Sequence, residues 1–461
     1  MPCADVNYGS GRVSLTAAVI DRYCRPAVVT VAGSRCESGA VAPLKFPPPE
    51  VAGEPDLHRH VPTDRDSRSR RSPCDIFLSG HPVTFTDACP GILDLHVARD
   101  GHVARIRLPG GYASAAMLRG LAAMALRFGD GCIDLTARGN VQLRGIRDHA
   151  ASELAQRAAW AGFLPSPAHD RARNISASPL AGLAGHPELR KLVRSVDRAV
   201  RTDPGLSGLP GRFLFSLDDG TGHAGLSDCD VGLRWHARGA DLIVAGRETG
   251  LRVPGGQAIK DAMAAARAFL DQRGAAPASA RVAGLRDEGS AVAAAIGGVL
   301  GARVTDTTGR LPLGPVPDSA PLAVVAAPLA RLTASQVRLI ARALRPGEVA
   351  RLTAAGRIVL PLAEPADAAI PGFAGAGLLV RDDHVLAAVT ACSGMSCASS
   401  LADVRSLATR VPGLGAVHWT GCSRRCGLPA DATAAVATSA DQFTLGGGTA
   451  RRVLTVAPRS R

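Results

Sequence analysis

A short pattern occurs twice in the chain: Leu135-Thr-Ala137 followed by Gly139, and Leu352-Thr-Ala354 followed by Gly356. Each copy has a small residue and a hydroxyl ahead of an apolar-periodic segment, Ala113-Ser114 in the first and Ala334-Ser335 in the second. A duplication commits a chain to building one supersecondary unit twice, so the repeat constrains the fold more than any composition figure.

The first copy shows what the unit is. From His102 to Leu108 the residues alternate, with Ala104, Ile106 and Leu108 on one face and Val103, Arg105 and Arg107 on the other, which predicts a strand ended by Pro109-Gly-Gly111. Met117, Leu121, Met124 and Phe128 mark the apolar face of a helix over Ser114–Phe128, and Gly129-Asp-Gly131 stops it. Strands follow at Cys132–Thr136 and Asn140–Ile146, joined by a tight turn at Arg138-Gly139. On the last strand Asn140, Gln142 and Arg144 share a face, with Arg138 preceding them on the polar side. If the two outer strands are neighbours, Arg105, Arg107, Arg138 and Arg144 project from one sheet face. Guanidinium forks on a rigid sheet make an anion site. An ordinary solvent-facing surface accounts for the period equally well.

In matching register the second copy replaces Arg138, Asn140, Gln142 and Arg144 with Ala355, Arg357, Val359 and Pro361. Aligning Pro109 with Pro328 sets Val324 and Ala326 opposite Arg105 and Arg107. The copies therefore share a scaffold, and copy two has mostly lost the polar face. Its helix is expected at Val337–Leu344.

A longer α/β stretch follows each copy. After the first come an extended Asn174–Leu180, a helix at Pro187–Val200, strands at Phe213–Leu217 and Val231–Val244 with a hairpin-like turn at Asp218-Asp219-Gly220, and a helix at Ala258–Gln272. After the second, strand Val385–Thr390 delivers Cys392, helix Leu401–Thr409 intervenes, and strand Ala416–Thr420 delivers Cys422. The domains expected are 85–150 and 301–370 for the two repeat copies, with 151–300 and 371–461 for the α/β parts. Residues 1–84 are rich in Pro, Ser, Arg and Gly without a period, and read as a disordered extension or as upstream sequence attached by an early start assignment.

Four of the eleven cysteines fall in two pairs, Cys392 with Cys397 and Cys422 with Cys426. Four thiolates at loop positions on rigid strands suit an iron-sulfur cluster. Structural zinc uses similar spacings, and buried thiols with no metal are a third reading. The remaining cysteines are scattered without regular spacing, which argues against a disulfide framework and for a reducing, cytoplasmic setting. The longest uncharged run, Val385 to Ala402, is broken by Thr390, Ser393, Ser396, Ser399 and Ser400, so no membrane span is predicted, and the first thirty residues hold no secretory signal.

The net charge of +13 asks for an anionic partner. Nucleic acid is a poor fit, because aromatics are 3% of the chain and the basic residues are nearly all arginine, the lysines being Lys45, Lys191 and Lys260. A polycarboxylate small molecule satisfies the same charge.

Together these residues resemble the nitrite/sulfite reductase superfamily. The marks are Arg105-Ile-Arg-Leu-Pro-Gly-Gly111, Thr136-Ala-Arg-Gly-Asn-Val-Gln-Leu-Arg-Gly145, the cysteine pairs ending in Gly421-Cys422-Ser-Arg-Arg-Cys426, and the internal repeat, over roughly Cys89 to the C-terminus. The resemblance implies an α+β fold with duplicated ferredoxin-like half-domains and two α/β domains about a pseudo-two-fold axis. It also implies a 4Fe-4S cluster held by Cys392, Cys397, Cys422 and Cys426, with Cys426 facing a tetrapyrrole pocket, and an external electron donor. Catalytic roles fall on Arg105, Arg138 and Arg212, and tetrapyrrole contacts on Arg144, Asn140 and Gln142.

Three departures point within the superfamily to the oxygenases of cobalamin synthesis. Reductases carry two lysines, one residue apart, after a Leu-Pro motif, whereas Leu209-Pro-Gly-Arg212-Phe-Leu214 offers an arginine and then a leucine. The chain is short once its head is removed, and Asp87-Ala-Cys-Pro-Gly-Ile-Leu93 resembles the way those oxygenases begin. That branch implies a tetrapyrrole substrate, precorrin-3A, with dioxygen and an NADH-linked donor, and either sirohaem or a mononuclear non-haem iron beside the cluster. A sirohaem-dependent nitrite or sulfite reductase is the alternative, and a basic iron-sulfur protein binding nucleic acid is a rival of another class. The four residues between Cys392 and Cys397 depart from the five usual in the superfamily, and His418 on the adjoining strand reads as a core group outside the metal set.

Overall fold

The computed structural model describes residues 13–15, 89–274, 279–307, 310–317, 319, 321–353, 356–411, 414–429, 431–446 and 452–456. The extension read at residues 1–84 lies outside the described residues except for Val13–Leu15, as do Asp87, Ala88, Ala354 and Ala355.

The first repeat copy forms β1 (His96–Ala98), β2 (Gly101–Ile106), β3 (Tyr112–Ser114), α1 (Ala115–Phe128), β4 (Cys132–Leu135) and β5 (Val141–Ile146). An α/β part follows with β6 (Ile175–Ala177), α2 (Arg190–Thr202), β7 (Phe215–Asp218), β8 (Val231–His236), β9 (Gly239–Val244), β10 (Arg247–Val253) and α3 (Gly255–Arg273). The second copy gives β11 (Gly314–Pro315), β12 (Leu322–Ala326), β13 (Arg331–Thr333), α4 (Ala334–Ala343), β14 (Val349–Leu352) and β15 (Arg357–Pro361). The cysteine-bearing part contains β16 (Val389–Ala391), α5 (Val404–Arg410), β17 (Val417–Thr420), β18 (Thr433–Ala437), β19 (Gln442–Leu445) and β20 (Arg452–Val456).

The repeated Leu-Thr-Ala-x-Gly pattern is a turn. In copy one the Thr136 hydroxyl accepts from the backbone of Asn140 at 3.1 Å, and Gly139 supplies a left-handed residue at φ 66°. In copy two the Thr353 hydroxyl accepts from Arg357 N at 3.2 Å, and Gly356 has φ 72°. Hydroxyl and glycine recur because this tight connection requires both.

The copies exchange strands. β3 leaves its own unit and pairs with β14 of copy two, while β13 pairs with β4 of copy one. The sheets therefore run β13-β4-β5-β2-β1 and β11-β12-β15-β14-β3, each completed by the other copy. The exchange turns on a left-handed pair after each Pro: Gly110 and Gly111 at φ 71° and 70°, Leu329 and Ala330 at 51° and 57°. α1 packs on α4, and both sheets bury their apolar faces in one core containing Leu121, Met124, Phe128, Val337 and Ile340. The helix starts correct the register read from Ala113-Ser114 and Ala334-Ser335. The N-caps are Ser114 and Thr333, the latter closing a capping box with Gln336.

The two α/β sheets repeat one another as well. In each, three strands run parallel and two antiparallel strands follow, β6-β7-β8 then β9-β10, and β16-β17-β18 then β19-β20, with Val13–Leu15 parallel to β20. Three expectations fail here, the first being the single strand read at Val231–Val244, which is a hairpin of β8 and β9. Asp218-Asp219-Gly220 makes no hairpin, because β7 and β8 are parallel; the Asp218 carboxylate instead gathers the backbone N–H groups of Gly220, Gly222 and Ala224 at the start of a crossover. The strand expected at Val385–Thr390 shrinks to Val389–Ala391, since a turn in which the His384 ring accepts from Leu386 N comes first. Among the described residues no helix is long and apolar enough to cross a membrane.

Candidate active site

β2 and β5 are neighbours, with Arg105 directly opposite Gln142. Gln142 Oε1 accepts from Arg105 Nε at 3.0 Å and Nη2 at 2.6 Å, so the amide aims the guanidinium. Arg105 Nη1 lies 2.7 Å from the sulfur of Cys89, and Arg107 Nη2 lies 3.6 Å from the same atom and 3.0 Å from the Gly211 carbonyl. Arg107 is buried, with its Nε unpartnered. Arg138 donates to the Arg212 carbonyl at 2.8 Å, and burial, followed by the Arg281 charge, pulls its guanidinium below its usual pKa. The face thus gathers Arg105, Arg107 and Arg138 about Cys89 and the Gly211-Arg212 turn, with the Arg212 side chain exposed.

Two residues expected on this face as ligand contacts have other engagements. Asn140 is fully buried: its Oδ1 accepts from Leu108 N at 2.9 Å and its amide donates to Asn174 Oδ1 at 2.8 Å. A buried amide needs both partners, so Asn140 ties β2 to β5 and to the strand region that follows. Arg144 makes a two-pronged ion pair with Asp100, both contacts at 3.1 Å, and donates to the Ser396 carbonyl at 3.1 Å.

In copy two the corresponding surface is filled. Val324 and Val359, the counterparts of Arg105 and Gln142, are buried with Leu183 and Leu322, and Leu180, Leu311, Leu313 and Val316 pack against them. Apolar side chains occupy the place where copy one keeps cations.

The cysteines lie at the carboxyl ends of adjacent parallel strands, Cys392 after β16 and Cys422 after β17. Loops on that edge of an α/β sheet are where ligands bind. The Cys392 sulfur accepts from Gly421 N at 3.3 Å and from Gly394 N at 3.4 Å, so it faces the backbone of both cysteine loops. The two loops cross so closely that a Cβ on Gly421 would overlap the Ser400 hydroxyl, which explains the glycine before Cys422. Burial pushes the Cys426 thiol upward, and Cys422, Cys392 and Cys397 each add to the shift, so all four thiols share one electrostatic neighbourhood. Among the described residues no three His, Cys, Asp or Glu side chains close on a single metal ion. The described cysteines form no disulfide.

His418 is a satisfied core group, as its strand position suggested. It is buried, its Nδ1 is 2.9 Å from the Thr390 hydroxyl and its Nε2 3.1 Å from the Cys426 carbonyl, and burial lowers its pKa to about 4. Sequence reasoning missed Cys89, Asp100 and Arg405 as members of this region. Arg405, on α5, reaches Asp134 on β4 at 3.4 Å, and no local pattern announces a contact so distant along the chain.

Residues 96–159 match the nitrite/sulfite reductase ferredoxin-like half domain. The fold is that of the Mycobacterium tuberculosis NirA protein, with a TM-score of 0.65 and 21% identity over 77% of this chain and 78% of the other. The chain therefore has the duplicated α+β fold of that protein, with the ferredoxin-like half domain matched at residues 96–159, as its motifs indicated. Among individual relatives, it is 32% identical over 149 residues to a ferredoxin–nitrite reductase of Leptolyngbya laminosa, covering 30% of this chain and 29% of that protein. It is 36% identical over 87 residues to a precorrin-3B synthase of Sinorhizobium sp, covering 18% of this chain and 19% of that protein. The aligned stretches thus span less than a third of either relative.

Proposed function

We propose that this chain is a precorrin-3B synthase, an iron-sulfur monooxygenase of aerobic cobalamin synthesis. Precorrin-3A would be hydroxylated where rings A and D meet while an acetate side chain closes a lactone. One atom of dioxygen enters the macrocycle, the other leaves as water, and two electrons come from an external NADH-linked donor. The observation that carries this reading is Leu214. By the motif resemblance it takes the place of a reductase's second lysine, and it is buried at 4% exposure. A site for sulfite or nitrite would lose there a cation and a proton donor, whereas a large polycarboxylate needs several separated cations. Arg105, Arg138 and Arg212 supply those cations, and Gln142 orients the first. The four cysteines fit a 4Fe-4S cluster, which when bound supplies electrons at the edge of this face.

A second reading, a sirohaem-dependent nitrite or sulfite reductase, is favoured by the longer match to the ferredoxin–nitrite reductases. Incubating anaerobically reconstituted protein with precorrin-3A, reductant and labelled dioxygen separates the two. The expected product carries one labelled oxygen atom. Intense sirohaem bands together with nitrite or sulfite turnover would overturn the proposal. Arg138→Ala is expected to weaken tetrapyrrole binding about 10- to 100-fold, the worth of one charge-assisted bond, with iron content unchanged; unchanged affinity removes Arg138 from the site.

A further inference from the structure

We infer that Arg144 is a positioning residue that fixes the first cysteine loop against the ligand-facing sheet. The inference rests on the cluster reading of the four cysteines. The carbonyls on both sides of Cys397 are gripped from the first half-domain. Ser396 O accepts from Arg99 N and from Arg144 Nη2, each at 3.1 Å, and Ala398 O accepts from Arg99 Nη2 at 3.4 Å. The Arg144 side chain is 6% exposed, and its fork is held by Asp100 in the turn between β1 and β2. A guanidinium held on two edges is a rigid strut, and lysine cannot reproduce its geometry.

The strut has a definite mechanical relation to the anion face. Arg144 sits two residues beyond Gln142 on the same strand, and Gln142 holds Arg105. The Cys397 loop and the arginine that meets a substrate carboxylate are thereby referenced to one rigid element, β5. The shortened spacing gives the strut its importance. Four residues between Cys392 and Cys397 leave little slack, and the loop's own hydrogen bonds are local, Cys397 N to Gly394 O and Ser400 N to Cys397 O at 2.8 and 3.1 Å. Bonds of that kind shape the loop without locating it relative to β2 and β5. Arg144 and Arg99 locate it.

The test uses the full chain with Arg144→Gln, Arg144→Lys and Asp100→Asn. Reconstituted Arg144→Gln is expected to release iron to a chelator at least 10-fold faster than the parent and to show a changed cluster electron paramagnetic resonance signal. Arg144→Lys should be intermediate, and tetrapyrrole affinity should stay within about twofold, since Asp100 and the Ser396 carbonyl already engage the Arg144 guanidinium. In metal-free protein, alkylation of Cys397 should accelerate in Arg144→Gln while that of Cys422 stays constant. That measurement stands even if the parent takes up no cluster, an outcome that would refute the functional reading and leave this inference to the thiol rates. Should Arg144→Gln fail to fold by circular dichroism, Asp100→Asn, which removes the carboxylate holding the fork but keeps the Arg144 guanidinium, carries the same expectations at smaller amplitude. Unchanged iron release and unchanged Cys397 alkylation overturn the inference. So does weakened tetrapyrrole binding with an undisturbed cluster signal, which would make Arg144 a ligand contact instead.

Discussion

Asp134→Asn is expected to loosen the seam between the first half-domain and the cysteine-bearing sheet. The Asp134 side chain is 9% exposed, and its Oδ1 receives Arg331 Nη1 at 3.1 Å and Arg405 Nη2 at 3.4 Å. Asparagine keeps the shape, removes the charge and leaves two guanidiniums, each 21% exposed, facing a neutral amide. Removing one partner of a fully buried ion pair costs about 3–5 kcal/mol. Partial exposure discounts that figure, and Arg331 keeps Asp130 as a second partner. Arg405 keeps no other carboxylate within ion-pairing distance among the described residues, and its Nε is unpartnered. About 2 kcal/mol is the resulting expectation. Urea unfolding of metal-free parent and variant at one ionic strength measures it, as a fall in midpoint at constant slope. Asp383→Asn is the control, because the Arg381–Asp383 pair is exposed on both sides and should give no measurable shift. If the two variants fall together, the buried seam does not contribute as reasoned.

The strand exchange predicts an asymmetric pair of substitutions. Gly111→Ala places a Cβ on the Leu352 carbonyl at φ 70° and should cost about 3 kcal/mol or more, whereas Ala330→Gly, at φ 57°, should be neutral or stabilising by about 1 kcal/mol; chemical denaturation of both checks the sign. Tyr112 gives a spectroscopic prediction, since burial, opposed by Arg351, raises its pKa to about 12. A folded pKa above the unfolded value of 10.0 means this stabilisation is complete below pH 10.0 and is lost as pH rises toward about 12. Its ionisation should appear as a phase near pH 12 by ultraviolet absorbance, and Tyr112→Phe should abolish that phase.

The arginine-bearing face was legible because strand alternation reports sidedness, and the pairing of Arg105 with Gln142 needed only that β2 and β5 be neighbours. The cysteine edge was legible for a similar reason, since each pair follows a short apolar strand. Alternation does not report what packs above a face. Asn140 and Arg144 share the side of Gln142, yet Asn174 covers the first and Asp100 with Ser396 engages the second, so their roles waited on the tertiary structure. The strand exchange was hidden too, because β3 and β13 are three residues each and hold no pattern naming a partner in the other copy. The helix register slipped for a local reason: Ala334-Ser335 imitates Ala113-Ser114, while the hydroxyl that caps is Thr333.

The exchange of β3 and β13 also gives the chain a schedule. As it leaves the ribosome, β4 emerges with one edge open, and the strand that closes it, Arg331–Thr333, arrives about two hundred residues later. The first half-domain therefore cannot complete its sheet alone, and a break between the copies would leave two fragments, each holding the strand the other lacks. Duplication here produced mutual custody: neither copy can be lost, including the one whose polar face is gone.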